Sequence, residues 1–187
     1  MERREPALEQ LIDKLETAQE TLDVLLAGED DSETVRQVLV EAATWMQENG
    51  VNQWNPQQFT PELIRSYFED REIYLLQESG EPVALFTLQD SDPDYWGELN
   101  VPGYSYLHRL TIRLAYRGRG LSSEILRYAA KRSKALGRPG IRLDCWNQNQ
   151  KLTQLYEGLG YQLQGTGSNN GREFNLYQLD ADLYAQV

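Results

Sequence analysis

Residues 115–126 read AYRGRGLSSEIL, and their reading decides the fold. Arg117 and Arg119 alternate with Gly118 and Gly120, and a helical pattern begins directly behind them. A helix N-terminus carries N–H groups without intrahelical partners and roughly half a unit of positive charge. Glycines just before it let a ligand approach the backbone closely. In front, Tyr104–Arg113 predicts a strand; behind, the pattern predicts a helix from about Gly120 to Leu136. Strand, glycine turn and helix in that order build a phosphate site. Two arginines add charge and forked donors for the same anion.

Charge outside this stretch narrows the anion. The net charge is −11, yet Arg109 to Arg142 holds ten Lys or Arg and one acid, Glu124, for +9 against −20 elsewhere. That remainder repels a long phosphate backbone, so nucleic acid is excluded as a partner. A small, phosphate-rich ligand fits instead. The acidic remainder also suits a cationic partner, such as an amine, by long-range steering.

Composition bounds the class. An apolar fraction of 40%, with 4 Trp, 11 Tyr and 4 Phe in 187 residues, supports a packed core rather than a disordered chain. No apolar run reaches the roughly 18 residues that span a bilayer, so no membrane partner is expected. MERREPALEQ has no apolar stretch behind its charges and does not read as a secretory signal. One cysteine, Cys145, and one histidine, His108, exclude a disulfide framework and argue against a structural zinc site. No metal and a cytoplasmic location are the expectations.

The remaining pattern is mixed. Leu8, Leu11, Ile12 and Leu15 fall at helical spacing and predict a helix over 5–20. It forms an N-terminal extension, residues 1–20, outside a domain of residues 21–187. Thr21–Ala27 fits a strand or more of the same helix. A second helix runs from Asp31 or Ser32 to Gly50. Thr60-Pro61 starts a third, which ends near Asp70. Glu72–Gln77 and Pro82–Gln89 predict a hairpin, and residues 90–103 a loop rich in breakers. Ile141–Cys145 predicts a strand, Asn149–Leu159 a helix, and Tyr161–Gln164 with Arg172–Leu179 a final strand pair. The fold class is α/β, with a mixed sheet flanked by helices.

Two cofactor types compete for the glycine turn. A dinucleotide fingerprint needs G-x-G-x-x-G and an acid near the end of the next strand. Here the third glycine is Ser123, although Asp144 stands 24 residues after Gly120. The other candidate is coenzyme A.

Residues 106–161 are similar to the core of the GNAT superfamily of acetyl-CoA-dependent N-acetyltransferases. Its signature, Gln/Arg-x-x-Gly-x-Gly/Ala, reads here Arg117-Gly118-Arg119-Gly120-Leu121-Ser122, with Ser122 departing at the last position. A second match is independent of the first: Asn149, Tyr156 seven residues on, and Gly160-Tyr161 closing the helix.

The resemblance implies the GNAT fold and transfer of acetyl from acetyl-CoA to a primary amine on a small molecule, peptide or protein. It assigns the pyrophosphate to Arg117, Gly118, Arg119, Gly120, Leu121 and Ser122. The pantetheine arm falls to the backbone of Leu110, Thr111 and Ile112, with Asn149 bonding the arm or ordering its helix. Tyr156 becomes the general acid, since a phenol keeps its proton at neutral pH. Asp144 ranks first as general base and His108 second. Tyr106 stands where histone-type members carry a glutamate base, and it joins Trp54 and Trp96 as expected substrate walls. Cys145 is expected to be a buried structural residue. A homodimer is compatible with the family. The competing readings are a coenzyme A-binding module without transfer and a Rossmann-type dinucleotide-binding protein.

Overall fold

The computed structural model describes residues 10–186. Eight strands form one mixed sheet: β1 Leu11–Glu16, β2 Thr21–Leu26, β3 Glu72–Glu78, β4 Glu81–Gln89, β5 Ser105–Ile112, β6 Gly140–Trp146, β7 Gln162–Asn169 and β8 Arg172–Asp180. Their order is β1-β2-β3-β4-β5-β6-β8-β7. Five helices intervene: α1 Ser32–Glu48, α2 Pro61–Asp70, the single turn α3 Pro93–Trp96, α4 Leu121–Ala135 and α5 Gln150–Gly158. The expected α/β mixed sheet with flanking helices is thus the observed fold.

The expected N-terminal helix is corrected. Residues 5–9 lie outside the described residues, and Leu11–Glu16 is a strand. β1 pairs antiparallel with β2, Leu15 opposite Leu22 and Glu16 opposite Thr21. Thr17 makes the turn. Its hydroxyl donates to the Glu20 carbonyl and accepts from the Glu20 N–H, a local bond that competes with helix. β2 settles as a strand because Leu22 and Val24 alternate into the core while the strand pairs with β3. Tertiary pairing overrides a helical spacing carried by only four apolar residues.

The chain divides into two compact units. The first runs to Thr87 and takes in Arg109–Ser122. Its core packs Val35, Val38 and Leu39 of α1 with Ile64 and Tyr67 of α2 and Ile73 and Leu75 of β3. Thr60 caps α2 by accepting from the Leu63 N–H, with Pro61 at the first helical position, as Thr-Pro predicts. The second unit comprises Leu88–His108 and the chain from Ser123. In it Trp96, Tyr106 and Leu176 form a buried cluster. Antiparallel pairing of β8 with β6 and β7 completes it.

Candidate active site

The chemistry of the second unit gathers around its single histidine. β5 pairs parallel with β6 at Ser105↔Ile141 and Tyr106↔Arg142. Continuing that register sets His108 opposite Asp144. Their side chains meet there, His108 Nδ1 lying 3.7 Å from Asp144 Oδ1. The two residues expected as rival bases are therefore neighbours. The other ring nitrogen, Nε2, lies 2.9 Å from Oδ2 of Asp92, a carboxylate 3% exposed. Tyr95 packs its ring against the imidazole with centroids 5.7 Å apart.

Asp92 was not expected. Its carboxylate caps α3, Oδ1 accepting from the Tyr95 N–H, and its own N–H donates to Asn100 Oδ1. The signal was present in Asp92-Pro93, the same cap-then-proline start as Thr60-Pro61. Proline, glycine and acids through residues 90–103 masked so short a helix. Nothing in the sequence ties Asp92 to a histidine 16 residues later.

The three residues offer ligand atoms within 4.8 Å of one another. One carboxylate stands at each ring nitrogen. An imidazole between two carboxylates can exchange a proton with a neighbouring group.

Tyr156 is buried on α5, its ring 5.8 Å from that of Tyr161 and 5.9 Å from that of Tyr177. Burial first, then the neighbouring Cys145 and Asp144, push its phenol well above the ordinary value. The group therefore holds its proton throughout the physiological range. Asn149 caps α5, its Oδ1 accepting from the Leu152 N–H. Cys145 is buried, with Sγ 3.7 Å from Thr153 Oγ1. Burial raises its thiol, which suits a packed side chain rather than a nucleophile.

The glycine turn belongs to the first unit. Gly118 and Gly120 adopt φ of 80° and 75°, the left-handed region that glycine enters without penalty. A Cβ added at either would meet no atom within 4 Å, so the backbone face of the turn is open. The first turn of α4 follows, with N–H groups that have no intrahelical acceptor. The arginine side chains are engaged elsewhere. Arg117 stacks on Trp45 at 4.5 Å, and its Nε donates to the Ile112 carbonyl. Arg119 pairs with Glu20 at 3.3 Å and donates to the Ala115 carbonyl. The arginines thus have partners within the protein, beside a turn whose glycines are open.

Just ahead of the turn, Arg109 takes φ 56° within β5, immediately after His108. Its guanidinium lies over Trp54, Phe59 and Tyr67 at 5.1, 5.3 and 5.9 Å. Beyond it, Thr111 is buried and its hydroxyl donates to the Arg109 carbonyl, while Leu110 and Ile112 are half-buried.

The aromatic residues expected as substrate walls have partners within the protein. Trp96 and Tyr106 are buried and serve Arg142, whose guanidinium lies 4.4 Å from the Trp96 ring and 4.1 Å from the Tyr104 ring. Arg142 also donates to Gln178 Oε1, the Leu99 carbonyl and the Tyr106 hydroxyl. Trp54 lies under Arg109. The aromatic groups that looked suited to an external cation thus hold the protein's own arginines. Periodicity showed which aromatics were present but not which internal cation each would meet.

The profile of the acetyltransferase (GNAT) family matches residues 39–161. The chain belongs to the GNAT acetyltransferase family. It is accordingly an acyltransferase. YesJ of Bacillus subtilis strain 168, named as an uncharacterized N-acetyltransferase, is 26% identical over 146 residues, covering 75% of this chain and 81% of its own. A GNAT acetyltransferase from Listeria monocytogenes superposes with a TM-score of 0.77 at 28% identity, over 90% of this chain and 99% of that one. The yncA protein of Salmonella typhimurium, solved with its cofactor acetyl-CoA, shares the GNAT fold at a TM-score of 0.64 and 14% identity, over 86% of this chain and 94% of that one. Among the described residues, no helix is long and apolar enough to cross a membrane.

Proposed function

We propose that this GNAT enzyme transfers acetyl from acetyl-CoA to a primary amine, on a small molecule or a peptide, by direct attack of the amine. The observation that carries the reading is the His108–Asp144 pair, with 3.7 Å between Nδ1 and Oδ1. An amine is protonated at neutral pH and must lose a proton before it attacks. An imidazole beside a carboxylate meets that need, and the carboxylate attracts the ammonium form.

Acetyl-CoA supplies the acyl group as an activated thioester. The amides of Gly118 to Ser122 and the N-terminus of α4 suit its pyrophosphate; the open glycine face supports that fit. The backbone of Leu110, Thr111 and Ile112 would hold the pantetheine arm and provide the N–H that polarises the thioester carbonyl. Asn149 would order the same arm while capping α5. Tyr156 keeps a proton for the leaving thiolate. The buried, high-pKa thiol of Cys145 supports direct attack over an acyl-cysteine route.

Calorimetric titration with acetyl-CoA, followed by turnover with a panel of primary amines read as thiol release, tests the proposal. Binding and saturable turnover are expected. Binding without turnover on every amine would reduce the chain to a coenzyme A-binding module. No heat with acetyl-CoA would overturn the reading.

A further inference from the structure

We infer that Asp92 is a positioning residue that fixes the tautomer of His108, placing the proton on Nε2 and making Nδ1 the basic nitrogen. The inference rests on the acetyltransferase reading for its chemical purpose and on geometry for its content.

A carboxylate accepts and never donates. Oδ2 of Asp92 lies 2.9 Å from Nε2, so the hydrogen bond there is a donation from the ring. A neutral imidazole has one N–H, and placing it on Nε2 leaves the lone pair on Nδ1. Nδ1 is the nitrogen that faces Asp144. Asp92 is itself firmly held. Its Oδ1 accepts from the Tyr95 N–H at 3.4 Å, its N–H donates to Asn100 at 2.7 Å, and it is almost wholly buried. The Tyr95 ring, held edge-on against Phe174 at 5.1 Å, packs the imidazole. The single turn α3 thus anchors the carboxylate that orients the base.

Nδ1 and Asp144 Oδ1 together form a two-acceptor edge that suits an ammonium group, whose several N–H bonds can meet both. One N–H bond of the acceptor ammonium breaks and its proton bonds to Nδ1. The electron pair stays on the amine nitrogen, which becomes the nucleophile. The imidazolium is stabilised by Asp92 through Nε2–H, and Nδ1 later returns the proton to solvent.

Asp92→Asn makes a sharp test. The Tyr95 N–H needs an acceptor, so the amide oxygen stays on it and the NH2 group turns toward Nε2. Nε2 must then accept, and the ring proton moves to Nδ1. His108 is the only histidine in the chain, so nitrogen-15 histidine labelling reports one ring. For the neutral ring, the wild-type spectrum is expected to show Nε2–H with an unprotonated Nδ1, and Asp92→Asn the reverse. The kcat of Asp92→Asn should fall about 10²-fold or more, as loss of a general base does, with KM for acetyl-CoA unchanged. Asp92→Ser keeps a capping oxygen for α3 but removes the carboxylate, and serves if the Asn variant folds poorly. It should lose kcat likewise and give a mixed tautomer.

A wild-type spectrum with Nδ1–H, or an unbiased mixture, overturns the inference. So does an inverted tautomer with kcat intact. If no amine turns over in wild type, the acetyltransferase reading fails, while the spectra still decide what Asp92 does to the ring.

Discussion

His108 Nδ1 and Asp144 Oδ1 stand 3.7 Å apart, two residues beyond the last parallel pair of their strands, Tyr106↔Arg142. The sequence presents them as alternatives. The register makes them partners, because both strands advance by the same two residues from that pair. Groups that act on one proton behave non-additively when removed. His108→Gln and Asp144→Asn should each lower kcat by about 10²-fold. The double variant should lose little more than the worse single one. Independent, multiplicative losses in the cycle would show that the two do not share a path.

What the sequence made legible was whatever local pattern controls. The glycine turn, the start of α4, the cap at Asn149 and the hairpin of β3 and β4 all came through, since each is written in a few adjacent residues. The His108–Asp144 pairing was not legible, because a parallel register is set by packing along whole strands. Arg142 is the clearest case of the remainder. It sits in a basic stretch that looks like a solvated face, yet it is 7% exposed, satisfied by Gln178, Leu99 and Tyr106. Only the fold brings those acceptors together.

That burial has a measurable consequence. Replacing Arg142 by Met keeps apolar contact with Trp96 and Tyr104 but removes the donor to the buried Tyr106 hydroxyl, as well as to the Leu99 carbonyl and the Gln178 amide oxygen. An unsatisfied buried polar group costs about 1–3 kcal/mol. For a chain of this size that is a fall in Tm of about 2–4 °C per kcal/mol. Thermal denaturation checks it; an unchanged Tm would mean that the cation is not needed to satisfy those acceptors.

The anion cradle gives a contrast between backbone and side chain. Gly120→Ala forces a Cβ into φ near 75°, at about 1–2 kcal/mol of left-handed strain, and shifts the amides proposed to hold the pyrophosphate. Affinity for acetyl-CoA should drop about tenfold, roughly 1.4 kcal/mol. Arg119→Ala should leave that affinity within about threefold, since the guanidinium already has the Glu20 carboxylate and the Ala115 carbonyl as partners. Its cost should fall on stability, because the Glu20 carboxylate is buried and loses its cation. Calorimetry and Tm on both variants separate the two roles. Equal losses of affinity would return the arginine to the cradle.

Cys145 allows a check on direct attack. Its thiol is pushed up by burial, with Asp144 and Glu157 adding to the rise against a Thr153 hydrogen bond. At a pH of about 8 the folded protein should react slowly with a disulfide reagent, and quickly once denatured. Under the proposed direct attack, Cys145→Ala should keep kcat within about threefold, because that route needs no acyl-cysteine. A collapse of kcat in a folded variant would instead require an acyl-cysteine.

In the proposed mechanism Tyr156 protonates the leaving thiolate. Its phenol is raised by burial and by its neighbours Cys145 and Asp144, so the proton is present at every working pH. In that reading it passes to the thiolate as the thiolate forms. Tyr156→Phe deletes that proton while keeping the ring that packs on Tyr161 and Tyr177. The expected result is a fall in kcat of about 10²-fold or more, with Tm nearly unchanged and acetyl-CoA affinity preserved. Sensitivity to the leaving group adds a second readout. An acyl donor whose thiol is more acidic needs less help in leaving, so the Phe variant should lose less rate with such a donor than with acetyl-CoA. Equal losses with both donors, or a kcat that survives the substitution, would remove Tyr156 from the proton path and leave it a core aromatic.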